Sequence, residues 1–169
     1  MKRKQLGYGI LSIEHLNMCA VAVCEVFGRR PNDVHLLLGT CAVETKLGQY
    51  RDKSIYRHGV GCMQIDEVAF DHIKEKYSIK SIAKTLRQHF GIALEKVEYR
   101  ELAVNPLLSM IFARFQYWQV VEKVPENLMG MAQYWKDHYN TEAGKGEAAD
   151  FVESYYHCEL DCYLDKRVR

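Results

Sequence analysis

Glu44 is the residue in this sequence whose type and position point most directly to chemistry. It follows Leu37 by seven residues and Cys41 by three, so on a helix covering residues 32–46 the three share one face. A carboxylate on an apolar stripe is costly unless it is paired or protonated. Glu44 also falls in the last helical turn, where the negative end of the helix dipole disfavours an anion. Both effects raise its pKa toward neutrality, which a general acid working near pH 7 needs. Judged alone, a rim glutamate on a slightly rotated helix is the commoner outcome.

The second feature is Gly59-Val60-Gly61-Cys62-Met63-Gln64-Ile65-Asp66. Glycines at alternate positions let the backbone approach another group closely. Met63 offers apolar contact, and Gln64 a carboxamide that both donates and accepts hydrogen bonds. Such a loop suits an extended polar ligand, with Met63 and Gln64 positioning it. An ordinary turn before a helix explains the same residues when they are taken in isolation.

In this order the two features are more specific. Ala42-Val43-Glu44-Thr45 followed by Gly61-Cys62-Met63-Gln64-Ile65 resembles the lysozyme-like superfamily, most closely the soluble lytic transglycosylases and goose-type lysozymes. There a glutamate followed by a small hydroxyl residue ends a core helix, and a Gly-Leu-Met-Gln sequence lies across the cleft. Thr45 keeps the hydroxyl, and Cys62 stands where leucine is usual. A later helix of those families carries Ala-x-Tyr-Asn, whose tyrosine reaches the catalytic glutamate. Ala132-Gln133-Tyr134-Trp135 resembles it, with Trp135 in place of asparagine. Asn105-Pro106 also resembles the family's arrangement, so the likeness spans about residues 30–140 of the 169. Tyr134–Thr141 and Gly144-Lys145-Gly146 look like the endings of bacteriophage-encoded members.

The resemblance implies a muramidase acting on peptidoglycan glycan strands at the β-1,4 bond after N-acetylmuramic acid, with no cofactor and no metal. Glu44 would protonate the departing oxygen, and Thr45, Gly61, Met63, Gln64 and Tyr134 would support it or hold sugar. A lytic transglycosylase needs only that carboxyl, because the sugar's own 6-hydroxyl closes a 1,6-anhydro ring. A hydrolytic lysozyme needs a second carboxylate to activate water; Asp66 and Asp52 are the candidates. Asp66 reads equally well as a residue at a helix N-terminus. A non-catalytic virion or glycan-binding protein on the same fold is the main rival.

The elements that must hold these residues read as helix almost throughout. Apolar spacing marks Leu11–Phe27, then a helix capped by Asn32 that ends near Leu47-Gly48, then Ile65–Tyr77 and Ile82–Phe90. Asn105-Pro106 opens the strongest helix, with Leu108, Ile111, Phe112, Phe115 and Trp118 on one stripe and Val121 nearby. Pro125 starts another through Trp135, and Phe151–Cys162 gives the last. Residues 49–61 read as a loop, and a short hairpin within 49–62 stays open. The expectation is a mostly α, single-domain, lysozyme-like fold over residues 1–169, with 141–169 a C-terminal loop and helix packed on it.

Composition limits the alternatives. Hydrophobic residues at 48% and charged residues at 27% fit a globular core. A net charge of +1 gives no support to nucleic-acid binding, and the basic ends Lys2-Arg3-Lys4 and Lys166-Arg167-Arg169 read as solvated termini. No apolar run approaches the roughly 18 residues of a membrane span. Glu14, His15 and Asn17 interrupt the only stretch that imitates an export signal. Synthesis in a cytoplasm is therefore expected, and the resemblance implies action in the periplasm or cell wall, or as part of a virion. Cys19, Cys24, Cys41, Cys62, Cys158 and Cys162 are expected as thiols in helical segments. Cys19-x4-Cys24 and His157-Cys158-x3-Cys162 would be two halves of a zinc site only if they met across the chain.

Overall fold

Ser12, Asp66, Asn105 and Asn127 each start a helix by the same device, a side-chain oxygen accepting an otherwise orphaned backbone N–H three residues on. Their acceptor distances, 3.1, 2.7, 3.0 and 2.7 Å, reach His15, Ala69, Leu108 and Gly130. A computed structural model describes residues 6–28, 30, 32–51, 59–140 and 144–161. Among these the chain forms seven α-helices: α1 (Ile13–Val26), α2 (Asp33–Thr45), α3 (Glu67–Tyr77), α4 (Ser81–Phe90), α5 (Pro106–Trp118), α6 (Leu128–Trp135) and α7 (Ala148–His157). The protein is mostly α. Two short 3₁₀ segments, Leu94–Lys96 and Tyr99–Ala103, lead into α5, and α6 widens into a π turn at Lys136–Asn140. Most of the span of the hairpin alternative, residues 52–58, lies outside the described residues; after it a single antiparallel bridge joins Val60 to Ile65. Among the described residues no helix is long and apolar enough to cross a membrane.

α5 runs through the centre and packs on α1, α2 and α3. Burial therefore spreads beyond the single expected stripe, to Met110, Ala113, Arg114 and Tyr117. Trp118, at the end of α5, is partly exposed, and Val121 lies in solvent. Pro125 precedes α6 and does not open it, because Asn127 supplies the cap. Asn32 does not cap α2. It adopts a left-handed backbone and no side chain caps the helix; the Oδ2 of Asp33 instead accepts the N–H of Arg30, which precedes α2, at 3.0 Å and the Arg114 guanidinium at 2.8 Å.

α7 packs against α2 and α6, placing Phe151 over Gly39 so closely that a Cβ there would lie 2.2 Å from the ring. This contact fixes how near α6 comes to the C-terminal end of α2, where Glu44 lies.

Candidate active site

The C-terminal turn of α2 presents Glu44 half-buried, above the fully buried Leu37 and Cys41, as the heptad spacing predicts. Burial is the main cause that pushes its pKa from the ordinary 4.5 to about 7. The Trp135 indole, whose Nε1 donates to Glu44 Oε1 at 3.2 Å, pulls in the opposite direction. A carboxyl raised to about 7 exchanges its proton within reach of neutral pH. The group can give up a proton, and it can take one back.

Thr45 explains why a small hydroxyl residue follows the glutamate. Its single hydroxyl hydrogen reaches the Cys62 carbonyl at 2.9 Å, closer than the Cys41 carbonyl at 3.2 Å, while its oxygen accepts the Gly48 N–H at 3.1 Å. One buried side chain thus ties the end of α2 to the glycine loop and to the turn that leaves the helix.

The loop itself is built for close approach of backbone. Gly61 has φ +80°, and a Cβ there would lie 2.4 Å from the Leu102 carbonyl oxygen and 2.5 Å from Ser109 Oγ. Gly61→Ala is expected to destabilise the fold on the order of 3 kcal/mol, from left-handed strain plus overlap with a backbone atom that cannot move freely. An unchanged melting temperature in that variant would remove this constraint.

The other expected ligand contacts are redirected. Met63 is completely buried and contributes to the core, so its thioether is not a sugar contact. Its backbone serves instead: the N–H donates to Ser109 Oγ at 3.3 Å, and the carbonyl accepts from Tyr139 Oη at 2.7 Å. Gln64 is half-buried with φ +49°, and its Nε2 turns back onto the Gly61 carbonyl at 2.9 Å, which stabilises the loop.

Tyr134 does not reach Glu44. Its hydroxyl donates to the Glu122 carbonyl at 3.1 Å, and its ring lies against Tyr117 and His138. The next residue, Trp135, meets the carboxyl. Tyr139 lies within electrostatic reach of it: burial is the main cause that raises the Tyr139 hydroxyl, and the Glu44 charge adds to it, as it also does at Tyr117. Trp135 and Tyr139 are four residues apart across the start of the π turn, a spacing that puts both on one side. Tyr139 stacks on Tyr117 at 5.2 Å, and Tyr117 shares a 2.7 Å hydrogen bond with Thr40 of α2. The signal available in the sequence was Tyr139-Asn140, which retains an intact Tyr-Asn pair. Asn140 pins the following loop through its Nδ2 and the Gly146 carbonyl, 2.8 Å apart.

Of the two candidate second carboxylates, Asp66 is exposed and caps α3, and among the described residues no acidic neighbour contributes to the Glu44 shift. Asp52 lies outside the described residues. Cys19, Cys24, Cys41, Cys62 and Cys158 are thiols, and Cys62 sits in the glycine loop instead of a helix. The Cys41 and Cys62 thiols are hydrogen-bonding neighbours beneath Glu44, and burial raises Cys41 well above the usual thiol range. Cys162, the end of one proposed half-site for zinc, lies outside the described residues, and among those described no three His, Cys, Asp or Glu side chains cluster as a metal site. Two shallow cavities, about 280 Å³ beside Lys80, Lys84 and Arg87 and about 240 Å³ between Ala22 and His89, involve none of the residues around Glu44.

No family model, curated protein or solved structure matches this chain. Fold and site together define a class by themselves: a mostly α protein in which one shielded carboxylic acid ends a core helix. Its neighbours there are an indole N–H, a phenol and a glycine loop.

Proposed function

We propose that this protein is a peptidoglycan lytic transglycosylase with Glu44 as its acid and base. The observation that carries the reading is one carboxyl, desolvated to a pKa of about 7 and contacted by a neutral hydrogen-bond donor, with no described acidic partner influencing it. Glu44 donates its proton to the glycosidic oxygen as the C1–O bond of N-acetylmuramic acid breaks, releasing the 4-hydroxyl of the next sugar. The resulting carboxylate takes the proton of the 6-hydroxyl, whose oxygen bonds to C1 and closes the 1,6-anhydro ring. Glu44 ends protonated, as it began, and no water is consumed. A pKa near 7 serves both half-reactions, because a stronger acid would be a poor base in the second.

The resemblance to lytic transglycosylases supports this reading through Glu44-Thr45 and the Gly61–Ile65 loop, whereas Tyr134, the tyrosine matched to the family's motif, turns to the Glu122 carbonyl. Thr45 and Gly61 hold the loop against the helix that carries the acid. Digestion of purified sacculi followed by mass spectrometry tests the proposal. Muropeptides lacking one water are expected, whereas reducing ends would point to a hydrolytic lysozyme. No cleavage at all would favour a virion structural or glycan-binding protein.

Asp66→Asn tests the branch separately. Asparagine caps a helix about as well as aspartate, so stability should change by less than about 1 kcal/mol. Activity is expected to stay within about threefold of the parent, with anhydro products. A loss of a hundredfold or more would make Asp66 a water-activating base.

A further inference from the structure

Resting on that reading, we infer that Trp135 orients the catalytic proton, its indole N–H occupying Glu44 Oε1 so that the acidic hydrogen sits on Oε2. A protonated carboxyl has one carbonyl oxygen and one hydroxyl oxygen. An indole N–H can only donate, so it pairs with the carbonyl oxygen and leaves the hydroxyl to the other. The 3.2 Å contact therefore chooses which oxygen delivers the proton.

The indole is held firmly enough to make that choice. Trp135 is 2% exposed, its ring lies 5.9 Å from that of Phe151, and a Cβ on Gly146 would come within 2.8 Å of its far edge. Phe151 in turn is seated over Gly39 of α2, so α7 braces the indole against the helix that carries Glu44. When the proton leaves, the neutral contact becomes a charge-assisted one and strengthens as the carboxylate forms. The other groups around this end of α2 stay neutral at working pH: Tyr139 and Tyr117 are raised well above the usual phenol range, and Cys41 well above the thiol range. Of the remainder, the Cys62 thiol pairs with Cys41, and the Lys46 ammonium is directed to Ser154 of α7. Trp135 is the neighbour that lowers the Glu44 pKa.

The test is the titration of Glu44 followed by carbon-13 NMR on labelled full-length protein, in the parent, in Trp135→Phe, and with β-(3-benzothienyl)alanine at position 135. The last keeps the bicyclic shape and replaces N–H with sulfur, so it reads the lost donor even if the phenylalanine variant fails to fold. Both replacements are expected to raise the Glu44 pKa by about one unit, the scale of a hydrogen bond to a charged group. The basic limb of the kcat/KM profile should move up with it, while kcat at the optimum falls about tenfold and KM stays unchanged. An unmoved or lowered titration overturns the assignment of Trp135, as does a fall in kcat without a titration shift. Absence of glycan cleavage by the parent protein overturns the functional reading instead, and the NMR titration, which needs no substrate, tells the two failures apart.

Discussion

Glu44→Gln is expected to lower glycan cleavage by at least 10²–10⁴-fold, the usual contribution of a positioned general acid, and by more if both half-reactions depend on it. Glutamine keeps the shape of the side chain, and its carbonyl oxygen can still accept from the Trp135 N–H, so the fold should survive. Stability gives an independent signature. The folded carboxyl titrates at about 7 and the unfolded one near 4.5, so between those values the folded state binds more protons. Stability of the parent therefore falls as pH rises from about 4.5 to 7 and levels off above that. Glutamine has no proton to lose and escapes the fall. At pH 8 the variant should thus gain about 2 kcal/mol relative to its standing at pH 4, since each unit is worth roughly 1.4 kcal/mol and the carboxyl keeps some contact with water. Denaturant unfolding at the two pH values measures the difference. Parallel stabilities, or residual cleavage within tenfold of the parent, would remove Glu44 from the role assigned here.

The second large effect concerns the opposite end of α2. Asp33 and Arg114 are both 1% exposed in their side chains and meet at 2.8 Å, with Arg30 Nε 3.6 Å from the same oxygen. Arg114 Nε and Nη1 have no hydrogen-bond partner among the described residues. A pair so incompletely satisfied adds little net stability, yet removing one member leaves a buried charge uncompensated. Asp33→Ala is expected to cost about 3–5 kcal/mol, because the Arg114 guanidinium loses its anion and Arg30 N–H its acceptor. For a chain of this size that corresponds to a fall in Tm of roughly 6–20 °C. Asp33→Ala combined with Arg114→Met should recover part of the loss, since the fully buried guanidinium is gone and only the partly exposed Arg30 is left without its anion. A Tm drop of under about 3 °C in the single variant, or no recovery in the double, would contradict this account.

Much of the frame was legible because it depends on local rules. Asn105-Pro106 opens a helix because a short oxygen can reach an orphan N–H wherever a helix starts, and the apolar spacing behind it sets which faces are buried. Asn32 failed as a cap for an equally local reason. Its backbone turned left-handed, and its side chain makes no bond to the first-turn N–H groups of α2. Burial on α5 exceeded the expected stripe because the helix is enclosed by α1, α2 and α3 and periodicity describes one face at a time. Trp118, its last residue, stays partly exposed while packing on Phe27, Tyr77 and Phe115, and Val121 lies beyond the helix end.

By itself the sequence placed Glu44 near the end of an apolar helix with the causes of a raised pKa, a hydroxyl residue directly after it, and glycines at 59 and 61 where backbone could approach closely. These follow from spacing, helix polarity and backbone geometry within short segments. Only the tertiary structure decided that Trp135 and Tyr139, and not Tyr134, stand beside the carboxyl, that Met63 serves through its carbonyl, and that Asp66 is spent on a cap. Those partners come from segments up to 95 residues away from Glu44 in the chain. Their meeting depends on how closely α7 presses α6 onto α2, a packing distance set by Phe151 against Gly39, which no local pattern encodes.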